Sequence, residues 1–201
     1  MKKETMSEKQ KCQSGVLYDA NYNKNLVEER NRCKDVCFAF NNCLPSRKEH
    51  RKNIIKPIFG KADDTFQIES DFWCDYGYNI ELGRNFYANH GCIILDEAKV
   101  MFGDNVFIGP NCGFYTAGHP IDPQLRVKGL EYAKPITIGS NVWFGGNVVV
   151  MPGVMIGDDV IIGAGSVVTK DIPTGVIAVG NPCRVLRKIT EEEIEKERRL
   201  V

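Results

Sequence analysis

The stretch from Ile136 to Gly165 consists of five consecutive hexapeptides: Ile136-Thr-Ile-Gly-Ser-Asn, Val142-Trp-Phe-Gly-Gly-Asn, Val148-Val-Val-Met-Pro-Gly, Val154-Met-Ile-Gly-Asp-Asp and Val160-Ile-Ile-Gly-Ala-Gly. Each begins with an aliphatic residue, and Gly, Asn or Asp often falls near its end. Such a period is typical of a solenoid in which each hexapeptide supplies one short strand and one turn. Three hexapeptides make one triangular coil, whose leading side chains point inward and stack into a continuous core.

The same period extends from about residue 68 to residue 183. The leading residues are Ile68, Cys74, Ile80, Phe86 and Cys92, then, after a slip of two residues, Val100, Val106 and Cys112, and from Ile136 onward Val142, Val148, Val154, Val160, Ser166, Ile172 and Ala178. The sequence therefore predicts an all-β fold, a parallel β-helix. The period does not fix its handedness, and the general chirality rule favours right-handed crossovers.

The corners of the coils are expected at the polar and glycine positions of each hexapeptide. The glycines at these places are Gly109, Gly139, Gly145, Gly157 and Gly163, and positive φ is often required there. Asn105, Asn111, Asn141 and Asn147 tolerate the same backbone conformation.

Helical segments are predicted on both sides of the repeats. Residues 1–62 form an N-terminal helical cap, with helices over Val27–Phe40 and Arg47–Ile58. Residues 63–185 form the β-helix, which includes a long loop over 113–135. Residues 186–201 hold a short C-terminal helix, at whose start Thr190 and Glu193 have the spacing of a capping box.

The composition argues against several classes of protein. The 201 residues carry 26 basic and 26 acidic side chains, so no net charge attracts nucleic acid or an anionic membrane. The basic N-terminus is not followed by the apolar core of a secretory signal, and the chain is expected in the cytoplasm. Its eight cysteines are then expected to be reduced. Without a CxxC pair they are interpreted as core residues rather than as metal or redox ligands.

The loop that follows Cys112 contains His119, within the tripeptide Gly118-His-Pro. Long loops inserted into a rigid repeat are often functional, and this is the longest departure from the period. A zinc site of the γ-carbonic anhydrase type needs three histidines with an H-x₄-H pair. The three histidines of this chain contain no such pair, so no catalytic metal is expected.

Several motifs resemble the maltose and galactoside O-acetyltransferases, which belong to the hexapeptide-repeat acyltransferases. These motifs are Leu17-Tyr-Asp-Ala-Asn, Asn85-Phe-Tyr-Ala-Asn, Ile138-Gly-Ser-Asn-Val-Trp-Phe-Gly-Gly, Pro152-Gly-Val-Met-Ile-Gly, Ile162-Gly-Ala-Gly-Ser-Val-Val-Thr-Lys-Asp-Ile-Pro and Val179-Gly-Asn-Pro-Cys-Arg-Val. The resemblance implies a left-handed β-helix, a homotrimer with active sites between subunits, acetyl-CoA as the donor and a sugar hydroxyl as the acceptor.

The resemblance also assigns roles to individual residues. His119 matches the catalytic general base. The residues matched to the acetyl-CoA site are Gly146 and Trp143 at the thioester end, Ala164 and Thr169 along the pantetheine arm, and Arg184 and Arg187 at the phosphates. The residues matched to the acceptor site are Asn89, Asp75, Tyr87, Asp19 and one of the pair Asp96 and Glu97, of which Asp96 is preferred.

Two other functions remain open from the sequence. One is a xenobiotic or antibiotic acetyltransferase of the same fold, which the helical N-terminal segment disfavours. The other is a solenoid scaffold without catalytic activity, which the presence of His119, Asn89 and the two C-terminal arginines disfavours.

Overall fold

The structure is a computed structural model, and it describes residues 6–201. The helices are α1 (Glu8–Gln13), α2 (Lys24–Asn41), α3 (Lys48–Ile55), α4 (Pro123–Val127) and α5 (Glu191–Arg198), and a 3₁₀ turn over Lys56–Ile58 continues α3. The helices predicted over Val27–Phe40 and Arg47–Ile58 thus correspond to α2 and to α3 with its 3₁₀ turn. Within residues 6–201, no helix has both the length and the hydropathy that crossing a membrane requires.

The hexapeptide region is a parallel β-helix with three faces. The first face contains β2 (Gln67–Ile68), β5 (Tyr87–Ala88), β8 (Phe107–Ile108), β13 (Trp143–Phe144), β16 (Ile161–Ile162) and β18 (Val176–Val179), and antiparallel β19 (Arg184–Lys188) ends it. The second face contains β3 (Trp73–Cys74), β6 (Ile93–Leu95), β9 (Gly113–Tyr115), β14 (Val149–Val150) and β17 (Val167–Val168). The third face contains β4 (Ile80–Glu81), β7 (Val100–Phe102), β12 (Ile136–Ile138) and β15 (Met155–Ile156).

The chain turns three corners in each coil, and these corners stack into three edges. We call the edge between the first and second faces edge A, that between the second and third faces edge B, and that between the third and first faces edge C. The leading residues point inward as predicted, and each of them is at most 6% exposed. A ladder of phenylalanines, Phe86, Phe102, Phe114 and Phe144, runs up this core with ring centroids 5.0, 5.1 and 5.2 Å apart. Each such edge-to-face pair contributes about 0.5–1.5 kcal/mol beyond its area.

Edge B carries every long departure from the repeat, including one that the period did not reveal. The regular fourth coil passes from Val150 to Val154 along this edge, whereas the second coil passes from Ile94 to Val100 and takes two residues more. The first coil takes the same two extra residues between Cys74 and Ile80, where no slip was predicted. The sequence does not reveal these two extra residues, because Cys74 and Ile80 are still six residues apart. Cys74 is the second inward-pointing residue of its strand, whereas Ile80 is the first inward-pointing residue of the next strand.

The predicted role of the corner glycines is wrong. None of Gly109, Gly139, Gly145, Gly157 and Gly163 has a positive φ. Each lies instead against the coil above it: a Cβ at Gly145 would lie 2.6 Å from the backbone nitrogen of Ala164, and one at Gly109 would lie 2.7 Å from that of Gly146. Real Cβ atoms do not approach backbone so closely, so these glycines allow the coils to stack.

The asparagine prediction is confirmed, since all four residues adopt a positive φ of 56–59°. At edge C the side chains of Asn105 and Asn141 also belong to a ladder. Asn85 donates to Asn105, Asn105 donates to Asn141 and Asn141 donates to Asp159, each at 2.9 Å. The residue type therefore supplies both the left-handed conformation and a hydrogen bond between coils.

The N-terminal helices cover the first coil through polar clamps as well as apolar contacts. Arg51 of α3 is 5% exposed, stacks on the Phe40 ring, and donates to the carbonyl oxygens of Phe40, Cys43 and Ile68 and to the Ser70 hydroxyl. A second clamp joins the end of α2 to the coil, because the Asn41 amide both donates to Phe72 O and accepts from Phe72 N–H. At the other end, Thr190 and Glu193 form the predicted capping box of α5.

Candidate active site

A cleft of about 460 Å³ opens at edge B, where the first three coils depart from the repeat. Its walls come from the β-helix, the long loop and α2. The lining residues are Asn21, Arg30, Lys34, Asp75, Leu95, Glu97, Tyr115, Ala117, Gly118, His119, Glu131 and Met151. Three of the predicted site residues, His119, Asp75 and Glu97, therefore lie together in one chain.

The long loop is an ordered antiparallel excursion that carries His119. It leaves as β10 (Ala117–Gly118) and returns as β11 (Leu130–Ala133), which pairs with β10 on one side and with β1 (Tyr18–Asp19) on the other. The N-terminal segment thus fixes the outer strand of the loop. Between the strands, Arg126 of α4 donates to the carbonyl oxygens of Pro120 and Ile121 and holds the turn after His119.

The glycine before His119 packs closely against its neighbour across the hairpin. A Cβ at Gly118 would lie 2.4 Å from the Tyr132 ring, on the strand that pairs with it. The Tyr132 ring therefore occupies the space that any other residue at position 118 would need. This packing fixes the backbone from which the His119 side chain extends.

The two ring nitrogens of His119 have different neighbours. Nδ1 lies 3.3 Å from the carbonyl oxygen of Leu130, and Nε2 lies 4.0 Å from Oε1 of Glu131. Because a carbonyl only accepts, the contact favours the tautomer with a proton on Nδ1 and a free lone pair on Nε2. The side chain is 53% exposed, so that lone pair is accessible from the cleft.

Glu131 is held behind the imidazole. Its side chain is 12% exposed, and the hydroxyl of the buried Tyr18 donates to its Oε2 at 3.3 Å. Burial raises the pKa of Tyr18, and the nearby carboxylates raise it further, so the phenol remains a donor. Strand β1 thereby orients the carboxylate that faces His119.

Glu97 and Asp75 lie next to each other on the floor of the cleft. Glu97 is 4% exposed; burial raises the pKa of its carboxyl well above the usual value, and the adjacent Asp75 raises it further. Asp75 also pairs with Lys34 of α2 at 3.3 Å. The floor thus presents a hydrogen-bond acceptor and a cation next to each other.

Asp96, the preferred member of the Asp96–Glu97 pair, is not exposed to the cleft. Its side chain is fully buried, and Oδ1 accepts the backbone N–H groups of Asp75 and Tyr76 at 3.0 and 2.8 Å. Burial raises the pKa of Asp96 to about 7, although these two N–H groups lower it. In this geometry Asp96 shapes the two-residue bulge of the first coil, and Glu97 faces the cleft.

A column of larger side chains continues from Asp75 along edge B. Leu95 and Tyr115 end β6 and β9, Met151 follows β14 in the same register, and each is partly exposed. Thr169 follows β17 in the same register and continues the column one coil further. The cleft therefore presents polar groups and an apolar surface next to each other.

The other predicted residues of the thioester and acceptor sites lie on the first face and at edge A. Tyr87 and Trp143 point outward from β5 and β13, and Trp143 is 54% exposed. Asn89, Gly146 and Ala164 lie in the corners that follow β5, β13 and β16, where the Gly165 N–H donates to Gly146 O. One chain therefore does not bring these residues to the cleft that contains His119.

The two predicted phosphate contacts lie on the exposed strand β19. The Arg184 guanidinium donates to the carbonyl oxygen of Cys183 at 2.7 Å. Arg187 makes a two-point ion pair with Glu193 of α5, with N–O distances of 2.7 and 2.6 Å. To bind a phosphate, Arg187 has to leave that pair.

The N-terminal prediction, Asp19, lies beside the cleft rather than in its lining. Asp19 is part of β1, faces Leu130 in register, and caps the turn by accepting the Tyr22 N–H. Asn21, two residues later, is the lining residue of this segment, and its amide donates to Gly129 O. Asp19 thus helps to hold the hairpin that carries His119.

Sequence reasoning did not identify Arg30, Lys34 or Glu131. Arg30 and Lys34 are one turn apart on α2, a spacing that places two cations on one helical face. Arg30 is fixed by its donation to Ala20 O at 2.9 Å. Glu131 lies twelve residues after His119, and only the pairing of β10 with β11 brings the two together.

Comparisons with known proteins agree with this architecture. The model of the maltose acetyltransferase hexapeptide capping motif matches residues 11–63, and that of the bacterial transferase hexapeptide, with six repeats, matches residues 135–170. The galactoside O-acetyltransferase of Escherichia coli K12 is 48% identical over 168 residues, which cover 84% of this chain and 83% of that protein.

Solved structures show the same similarity to maltose and galactoside acetyltransferases. A maltose O-acetyltransferase from Clostridium difficile 630 is 53% identical with a TM-score of 0.90, and the match covers 92% of this chain and 99% of that one. A galactoside acetyltransferase in complex with coenzyme A is 44% identical with a TM-score of 0.91, over 94% of each chain. The left-handed β-helix implied by the resemblance is confirmed. The right-handed expectation does not apply because strands of two or three residues are too short for the twist on which that rule rests. The chain therefore belongs to the hexapeptide-repeat acetyltransferases, in the group that carries the maltose acetyltransferase cap.

Proposed function

We propose that this enzyme transfers the acetyl group of acetyl-CoA to a hydroxyl group of a sugar, with His119 as the general base. The observation that carries the proposal is the position of the imidazole. Nδ1 is engaged by Leu130 O, while Nε2 faces a cleft whose floor holds the Asp75–Glu97 pair. The cleft contains both donors and acceptors next to an apolar wall, which fits the alternating polar and apolar surfaces of a sugar.

The chemical step follows from the requirements of this transfer. His119 Nε2 removes the proton from the acceptor hydroxyl as its oxygen attacks the thioester carbonyl. The backbone N–H of Gly146 stabilises the oxyanion of the tetrahedral intermediate. When the intermediate collapses, the C–S bond breaks and the imidazolium returns the proton to the leaving thiolate. General-base assistance of this kind is worth about 10²–10⁴-fold in rate.

The proposed site requires two copies of the chain. His119, Asp75 and Glu97 lie at edge B, whereas Asn89, Gly146 and Ala164 lie at edge A of the same β-helix. Edge A of one copy has to meet edge B of the next, and a head-to-tail contact of this kind closes into a ring. We propose a homotrimer, as the resemblance implies, with acetyl-CoA between adjacent copies along edge A. Its adenosine phosphates then lie near Arg184 and Arg187.

The eight cysteines are consistent with an enzyme of the cytoplasm, where acetyl-CoA is available. All of them are free thiols in this structure, and disulfides are rare in that compartment. The cytoplasmic location is part of the proposal.

The first experiment measures thiol release from acetyl-CoA with maltose, glucose, galactosides, aminoglycosides and a streptogramin as acceptors. Turnover with a sugar supports the proposal, and turnover with an antibiotic alone contradicts it. His119→Ala should remain assembled and bind CoA, with its turnover reduced by about 10²–10⁴-fold. A folded wild-type protein that neither binds CoA nor acetylates any acceptor would be a scaffold.

A mixing experiment tests whether the site is shared. His119→Ala chains and Asn89→Ala chains, co-expressed with different tags, are purified through both tags. A site formed by edge B of an Asn89→Ala chain and edge A of a His119→Ala chain is intact. Every trimer that carries both tags contains both variants, and one of its three sites combines the two wild-type edges, so about a third of the sites are intact and activity returns although each parent is inactive. A mixture as inactive as its parents would place the whole site in one chain.

A further inference from the structure

Three cysteines converge where the helical cap meets the first coil. Cys33 and Cys37 lie one turn apart on α2, and Cys74 lies on β3. The Cys74 sulfur is 3.5 Å from that of Cys33 and 3.8 Å from that of Cys37, and all three sulfurs lie within 4.8 Å of one another. None of the three residues is more than 4% exposed.

These distances are close to the spacing of thiolates around one metal ion. Sulfur atoms bound to a single ion at about 2.3 Å lie about 3.8–4.0 Å apart, whether the ion is tetrahedral or trigonal. Small side-chain movements are therefore enough to give the cluster this ligand spacing. In contrast, a disulfide would require two of the sulfurs to approach to about 2.05 Å.

A buried carboxyl group lies close to the cluster. Asp96 is fully buried, and one of its oxygens, Oδ2, has no hydrogen-bond partner in the described part of the chain. The other, Oδ1, accepts the N–H of Asp75, the residue that follows Cys74, so this carboxyl group lies directly behind the cluster. Three thiols and a carboxyl group are thus buried together where the helical cap meets the first coil.

The ligand set indicates which cation fits. No His, Asp or Glu of residues 6–201 places a fourth ligand atom within 4.8 Å of all three sulfurs. Structural zinc is almost always four-coordinate, whereas Cu(I) is a soft ion that thiolates select. We propose that Cys33, Cys37 and Cys74 form a three-coordinate thiolate site for Cu(I), which fastens the helical cap to the β-helix and takes no part in acetyl transfer.

The primary test is a titration of the full-length protein under reducing, oxygen-free conditions. Cu(I) is supplied as its bicinchoninate complex, and transfer to the protein is followed by the loss of colour. Wild type should take up one high-affinity equivalent per chain, and Cys33→Ala, Cys37→Ala and Cys74→Ala should each lose it. Cys92→Ala and Cys112→Ala, which also remove buried core thiols, serve as matched controls and should keep it.

A second measurement uses wild type alone and does not depend on whether the variants fold. X-ray absorption of the one-equivalent complex should show a first shell that contains sulfur only. A shell with nitrogen or oxygen, a wild type that does not compete for Cu(I), or equal uptake by all five variants overturns the proposal. Tighter binding of Zn(II) than of Cu(I) in a parallel titration overturns the three-coordinate assignment.

Discussion

The Nε2 atom of His119 lies 4.0 Å from a carboxylate oxygen of Glu131, on the neighbouring strand of the same hairpin. The carboxylate is too far away for a strong hydrogen bond in the resting state. In the proposed reaction the imidazole takes up a proton and becomes a cation beside this largely buried carboxylate, which would stabilise the developing charge.

Glu131→Gln should therefore lower kcat by about 10-fold, equivalent to ~1.4 kcal/mol of transition-state stabilisation, with little change in KM for the acceptor. Tyr18→Phe, which removes the donor to Glu131 but keeps the carboxylate, is the matched control and should have a smaller effect. A variant whose KM rises while kcat is unchanged would show that Glu131 binds the acceptor instead.

Gly118→Ala should reduce activity without unfolding the chain. The new Cβ would lie 2.4 Å from the Tyr132 ring, so either the ring or the backbone before His119 has to move. A displacement of this size next to His119, the proposed general base, is expected to reduce kcat by about 10²-fold. Tyr132→Ala, which removes the ring, is the reference variant. If the clash with the ring causes the loss of activity, adding Gly118→Ala to Tyr132→Ala should cost little more activity. Equal losses in both backgrounds would point to a different cause.

The buried Asp96 predicts that part of the stability depends on pH. The folded chain holds this proton up to about pH 7, whereas the unfolded chain loses it near the usual pKa. This group therefore lowers the free energy of unfolding as the pH rises from about 4 to about 7, by at most ~1.4 kcal/mol per unit. Asp96→Asn should flatten that slope in urea unfolding measured across this range. Asp35→Asn, an exposed carboxyl on α2, should leave it unchanged.

Arg51→Met should loosen the helical cap. The substitution leaves three carbonyl oxygens and the Ser70 hydroxyl without the guanidinium that serves them. Unsatisfied buried acceptors of this kind cost about 1–3 kcal/mol each, and partial solvation limits the expected total to ~3 kcal/mol. Urea unfolding and hydrogen exchange in α3 should report the loss. The exposed Arg47→Met, at the N-terminus of the same helix, should show neither change.

The period predicted the three-sided core because apolar residues recur at the positions that point inward. It missed the bulge of the first coil because two neighbouring inward positions are both apolar, so Cys74 and Ile80 stay six residues apart across a change of phase. The prediction of positive φ at the corner glycines was wrong because their role depends on the distance to the next coil. The sequence of a single hexapeptide carries no information about that distance.

The candidate site was predictable only where a residue interrupts the repeat. His119, Asp75 and Glu97 belong to the departures at edge B, and the structure places them in one cleft. Glu131, Arg30 and Lys34 come to this cleft through strand pairing and the docking of α2, which are tertiary relationships. The preference for Asp96 over Glu97 could not be decided by position in the sequence, because two adjacent residues at a bulge point in opposite directions.

The concentration of all insertions at edge B has an engineering consequence. At edge C the asparagine ladder joins neighbouring coils, and at edge A glycines touch the coil above. Extra residues at either edge would therefore separate the coils. At edge B the strands on either side keep their register whether the connection is short, bulged or twenty residues long. Whole loops can therefore be exchanged at edge B, the proposed acceptor site, while the fold and edge A, along which acetyl-CoA is proposed to bind, stay constant.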